Sequence, residues 1–163
     1  MKTLLILRHA KSSWSNARQA DHDRPLNARG RQDAPRMGRL LRTEDLVPDL
    51  VISSSAERAV STAELAAEGC GYEEEILATR ELYHGAPEDY VTALSEAGGD
   101  SAIILVVGHN PGVEELVEEL TGEDEVMPTG ALAHVALPIA TWHQLDLDTR
   151  GTLENLWRPK ELD

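Results

Sequence analysis

Four side chains in this sequence stand where a folded chain has little reason to leave charge unless something uses it. Arg8 and His9 end the apolar run Leu4-Leu5-Ile6-Leu7. Arg58 follows Leu50-Val51-Ile52-Ser53 after a short polar step, and His109 follows Ala102–Val107 after a single glycine. Two guanidinium forks match the oxygens of a tetrahedral dianion in bidentate fashion. One imidazole can attack phosphorus covalently, splitting a slow displacement into two faster steps. The other can donate to the equatorial oxygens as charge develops on them. Such a site calls for no metal or other cofactor, because the arginines bring the charge that Mg²⁺ would otherwise supply. A strand ending in solvated polar residues would explain any one of these positions. Three junctions of the same design outweigh that explanation.

The apolar runs are the length of short, fully buried strands. The helical stretches between them demand crossover connections and a largely parallel sheet, so the three junctions share one edge. In an open α/β sheet, ligands bind in the crevice outside the carboxyl ends of the strands.

Between the strands, Ser12 to Asn27 is polar and aperiodic, a loop over the strand ends. Its Asp21-His22-Asp23 matches no metal-ligand spacing, and pairing between its aspartates and arginines is the expectation. Asn27 is placed to cap a helix over 28–43 carrying Met37, Leu40 and Leu41, with Pro35 expected to kink it or delay its start. Ser54 and Glu57 form an S-x-x-E capping box, which would make Ser54 the N-cap and put Arg58 in the first helical turn, on one face with Thr62. A helix start there suits a phosphate. Ile76-Leu77-Ala78 reads as an edge strand, and Pro87 as the first position of a helix to about Glu96. Asn110 and Pro111 read as N-cap and first residue of a helix over 111–120. The last third reads as strands 130–137 and 142–147, a hairpin around 138–141. His134 and His143 lie inside those strands, and Trp157 and Pro159 close the core.

A chain of this length suits one domain, residues 1–163, with a single core. Hydrophobic and charged contents of 41% and 27% are those of a water-soluble fold. Net charge is −14 but unevenly spread: residues 1–42 hold ten of the fifteen Lys/Arg against three acids, and the remainder holds five bases against 26 acids. That field opposes nucleic acid as a partner while allowing a local cationic pocket for one small anion. No stretch approaches a membrane span, and the few residues before Arg8 are too short for a secretory apolar region. The single Cys70 forms no internal disulfide and is expected to be a small apolar residue at a helix end. The expected location is cytoplasmic.

Taken together, Leu7-Arg8-His9-Ala10-Lys11-Ser12, the run from Val51 to Ala63 and Val107-Gly108-His109-Asn110-Pro111 resemble the histidine phosphatase superfamily, also called phosphoglycerate mutase-like. The length, the Asp21–Gly30 segment, Glu81-Leu82-Tyr83 and Met127-Pro128-Thr129-Gly130 resemble its SixA-type branch, the protein phosphohistidine phosphatases. The resemblance implies that His9 is the nucleophile and that Arg8, Arg58 and His109 hold the phosphoryl group. Ala10 stands where the signature has glycine. Ser15 stands where mutase and sugar-phosphatase members carry a phosphate-contacting asparagine. Larger members use a Glu or Asp proton donor at a loop position matched by Glu81, whereas SixA-type members lack one, so both alternatives are open. The expected architecture is a three-layer α/β/α sandwich around a mixed, mainly parallel sheet. The expected partner is a phosphohistidine-bearing protein. The alternatives are a phosphomonoesterase for small phosphorylated metabolites and a phosphate-binding module without turnover, with a mutase disfavoured for want of substrate-specific insertions.

Overall fold

Alternation along a strand sends successive side chains to opposite faces, and here it feeds two separate cores. In the computed structural model, which describes residues 1–162, β1 (Lys2–Arg8) turns Leu4 and Ile6 to one face and Leu5 and Leu7 to the other. β2 (Leu50–Ser54) and β4 (Ile103–Gly108) divide their residues likewise. On the Leu5 face lie α1 (Ala28–Thr43) and α2 (Glu57–Cys70), contributing Met37, Leu41 and a row of alanines. On the Leu4 face lie α3 (Pro87–Ala97) and α4 (Gly112–Thr121), with Tyr90, Leu94, Leu116 and Leu120. The result is the expected α/β/α sandwich.

The sheet order is β3-β2-β4-β1-β5-β6. β3 (Ile76–Thr79), β2, β4 and β1 run parallel, while β5 (Leu132–Leu137) and β6 (Thr152–Trp157) are antiparallel additions. β4 is fully paired between β1 and β2, so its run of Ile, Leu and Val has no polar face. Among the described residues no helix is long and apolar enough to cross a membrane.

Several local expectations are corrected. Asn27 does cap α1, accepting from the Gly30 N–H at 2.9 Å, but the helix starts at Ala28 and runs unbroken past Pro35. Its seat against α2 is close: a Cβ on Gly38 would stand 2.1 Å from the Ala66 carbonyl oxygen. Tertiary packing overrides the proline here. Pro111, not Asn110, is the N-cap of α4. The Asn110 amide instead donates to Glu114 and to the Met127 carbonyl, at 2.8 and 3.0 Å. The partner of β5 is β6, not residues 142–147. Trp142–Gln144 is a 3₁₀ turn carrying His143, and Trp142 is buried against Gly98 with its indole N–H on the Ser101 carbonyl at 2.8 Å. A large apolar side chain filling a core gap looks, in sequence, like the start of a strand.

Candidate active site

Parallel pairing of β1 with β4 sets Arg8 opposite Gly108, so His9 and His109 each leave the sheet one residue later, side by side. Their ring centroids are 5.1 Å apart. The His9 N–H still reaches the Gly108 carbonyl at 3.0 Å. Position 108 has no room for a side chain, because a Cβ there would lie 2.0 Å from the Tyr90 hydroxyl oxygen. That oxygen accepts the His109 N–H at 3.2 Å, so the glycine lets α3 hold the second histidine.

β2 carries its pairing through Ser54, opposite Thr79, so α2 opens later than the capping box implied: Ala56 is the N-cap. Ser54 has another use. Its Oγ accepts from the Ala56 N–H at 3.2 Å and lies 2.8 Å from His109 Nε2. Ser54 is fully buried, and His109 Nε2 is the acceptor placed for its hydroxyl proton. The His109 proton then sits on Nδ1, a buried atom with no partner. Arg58 is in the first turn of α2 as expected, and Thr62 one turn on accepts the Ala10 N–H at 3.0 Å, tying α2 to the residue after His9.

Arg8, His9, Arg58 and His109 line one cleft of about 370 Å³. Arg8 donates to the Met127 carbonyl at 3.1 Å through one Nη, while its buried Nε has no partner. An oxyanion between these side chains would satisfy both that Nε and His109 Nδ1. His9 Nδ1–H donates to the Ala10 carbonyl at 2.7 Å, which fixes the tautomer and leaves the Nε2 lone pair free. Of the two imidazoles, His9 alone therefore offers an uncommitted nucleophilic nitrogen.

Burial, with Arg58, Arg8 and Arg24 nearby, pushes His9 down to about 4 against the upward pull of its Ala10 hydrogen bond. Burial, then His9 and Arg58, takes His109 down to about 3. Both are neutral near pH 7. The unfolded chain binds protons at these histidines below about pH 6.5 that the folded chain refuses. Stability should therefore fall as pH drops from 6.5 towards 4, by about 3 kcal/mol from His9 alone. Urea unfolding at pH 7 and pH 4.5 checks this, with a smaller loss expected in His9→Gln. An equal loss in that variant would contradict it.

The loop over the strand ends does more than pair internally. Asp21 takes the Arg24 guanidinium at 2.8 Å as expected, yet it also holds Arg58, whose two Nη atoms donate to the Asp21 carbonyl at 2.7 Å and to its carboxylate at 3.0 Å. The Tyr83 hydroxyl donates to the same carboxylate at 2.6 Å. That hydrogen bond, aided by Arg58 and Arg24, holds the Asp21 carboxyl down to about 2. Arg24 is buried, lines the cleft beside Ser12 and stacks under the exposed Trp14, 3.2 Å from the ring centroid. Among the described residues no group of three or more His, Cys, Asp or Glu gathers as a metal site.

The sequence reasoning missed Asp21 and Arg24 as site residues, along with Tyr83 and His84. The available signal was an acid–base pair three residues apart in a loop with no reason of its own to be ordered. Two expected residues lie elsewhere. Ser15 is exposed, bonded to Ser13 at 2.9 Å and absent from the cleft lining. Glu81 is exposed in a 3₁₀ turn (Arg80–Leu82), its N–H capped by Thr79, and is also outside the lining. Neither Ser15→Ala nor Glu81→Gln should change kcat/KM by more than about threefold, whereas loss of a working acid costs about 10²–10⁴-fold. Steady-state assays on the two variants decide this.

With this geometry in place, the chain belongs to the histidine phosphatase superfamily, branch 1, whose family model matches residues 4–102. Its likeness runs to the SixA type: the structure of the protein histidine phosphatase SixA complexed with tungstate superposes with a TM-score of 0.80 at 28% identity, covering 99% of both chains. An uncharacterised chloroplastic protein of Arabidopsis thaliana is 34% identical over 130 residues, 74% of this chain and 60% of that one. The chain thus spans less than two thirds of that relative's length. A mycobacterial glucosyl-3-phosphoglycerate phosphatase, complexed with VO3, shares the fold alone, at a TM-score of 0.70 and 16% identity over 97% of this chain and 99% of that one.

Proposed function

We propose that this chain is a phosphohistidine phosphatase that hydrolyses a phosphoryl group from a histidine-phosphorylated protein through a phosphorylated His9. The observation that carries the reading is the uncommitted Nε2 of a neutral His9, on the wall of a cleft shared with Arg8, Arg58 and His109. A module that merely bound phosphate would gain most from protonated imidazoles. This site spends burial on keeping them neutral.

The roles follow from the hydrogen bonds. Arg8 and Arg58 hold the phosphoryl oxygens, and Arg24 adds charge from the cleft wall. His9 Nε2 attacks phosphorus in line with the departing group, forming an N–P bond as the bond to the leaving atom breaks. His109 Nδ1–H donates to an equatorial oxygen as negative charge builds there. Water then attacks the same phosphorus, the N–P bond breaks, and its electron pair returns to Nε2. In this reading the arginines supply in each step the charge that a metal would otherwise bring. A protein substrate is supported by the exposed Trp14 at the cleft, 77% accessible, and by the SixA likeness along nearly the whole chain.

The deciding experiment is a substrate panel on wild type and His9→Ala: a histidine-phosphorylated protein, sugar phosphates and p-nitrophenyl phosphate. Highest kcat/KM on the phosphoprotein, lost in the variant, is the expected result. Higher turnover of sugar phosphates would overturn the protein substrate in favour of a metabolite phosphatase. Binding of phosphate with no turnover of any substrate would overturn the enzyme.

A further inference from the structure

Departure of the leaving group needs a proton, and neither carboxylate near the site can give one. Glu81 lies outside the cleft. Asp21 is in it, but a carboxyl held down to about 2 has no proton to donate near neutral pH. Two further titratable side chains line the cleft, Lys11 and His84, and of these His84 is the one with side-chain contacts to Asp21, Tyr83 and His109. His84 lines it and is two-thirds exposed, in contrast to His9 at 7%. An in-line displacement puts the attacking nitrogen and the leaving atom on opposite sides of phosphorus. With the nucleophile buried, the leaving group faces solvent, the side on which His84 stands.

His84 is placed there deliberately by its backbone. Its φ is +60°, a left-handed conformation uncommon for a residue with a side chain. The strain is held by surroundings that fix the imidazole. Its ring lies on Tyr83 with centroids 4.0 Å apart, its Nε2 is 3.9 Å from the Asp21 carboxylate, and its centroid is 6.3 Å from that of His109. Non-glycine residues in this region cluster at functional sites.

We infer that His84 is the proton donor to the leaving group. This rests on the phosphatase reading above. In the first step the P–O or P–N bond breaks with its electron pair moving to the leaving atom, which takes the Nε2 proton of the His84 imidazolium. In the second step the neutral His84 removes a proton from the water that attacks phosphohistidine, regenerating the imidazolium. Asp21 gives the imidazolium form an ion-pair partner. Imidazole suits both roles because a single ring nitrogen can give a proton in one step and take one back in the next. The charged and titratable groups facing it are Asp21, Tyr83, His109 and Arg58, which reaches the same Asp21 carboxylate.

The test is single-turnover phosphorylation of His9 by two aryl phosphates, in wild type and His84→Asn. Asparagine tolerates the left-handed backbone, so the loop is kept while the proton is removed. p-Nitrophenyl phosphate has a leaving group that departs unaided. Phenyl phosphate leaves as a phenoxide as basic as tyrosine, with a pKa of about 10. The expected result is a loss of about 10²-fold or more with phenyl phosphate and under about threefold with p-nitrophenyl phosphate, together with loss of the basic limb of the wild-type pH–rate profile. Equal losses on both substrates, or no loss on phenyl phosphate, would overturn the inference. So would a wild type that dephosphorylates a phosphohistidine peptide but not phenyl phosphate. A wild type inert towards all three would sink the phosphatase reading instead.

Discussion

His9→Ala is expected to lower kcat by about 10⁴-fold or more, the scale seen when a covalent nucleophile is removed. The same substitution should abolish a labelled intermediate. Phosphohistidine survives alkaline denaturation and hydrolyses in acid, so the enzyme is mixed rapidly with a ³²P-labelled substrate and quenched in base. Wild type should carry label and His9→Ala none. His109→Ala is the informative partner. Because Ser54 and the Nδ1 proton occupy both of its ring nitrogens, its removal should slow labelling while leaving the acceptor in place. Label persisting in His9→Ala would show that the wrong imidazole has been identified as nucleophile.

The second large effect is at Arg58. Of its five N–H donors, two are taken by the Asp21 carbonyl and carboxylate. Its planar fork is thereby aimed by one edge while the rest remains for substrate oxygens. Arg58→Ala should reduce kcat/KM by about 10³-fold, as expected for losing a preorganised donor together with its charge. Arg58→Lys should recover only a small part, since one ammonium cannot hold both Asp21 groups and still span an oxyanion. Substantial recovery by lysine would mean that charge alone matters and that the Asp21 tether is incidental. Kinetics of the two variants on one phosphoprotein substrate separate these outcomes.

How much of this was legible beforehand depended on whether the signal was local. The strands announce themselves because β1, β2 and β4 are buried on both faces and so read as unbroken apolar runs, and the residues just beyond them fall on one sheet edge by topology alone. Arg8, His9, Arg58 and His109 accordingly line one cleft. Ser54 was misread because one hydroxyl can cap a helix or orient a histidine, and only the partner across the sheet decides. The same holds for Asn110, claimed by Glu114 and Met127. The hairpin was misplaced because Trp142 fills a gap beside Gly98 that no sequence window contains. Asp21 and His84 escaped for a related reason. Their contacts run between a loop before α1 and a turn after β3, some sixty residues apart, and neither segment has a periodicity to betray its position.

β4 is the fourth strand made but sits between the first and second. During synthesis, the facing edges of β1 and β2 therefore remain open until most of the chain has left the ribosome, and a shorter nascent chain carries His9 with no second imidazole beside it. Insertion of one late strand closes a gap that would otherwise invite mispairing with other chains, and the same strand sets His109 beside His9.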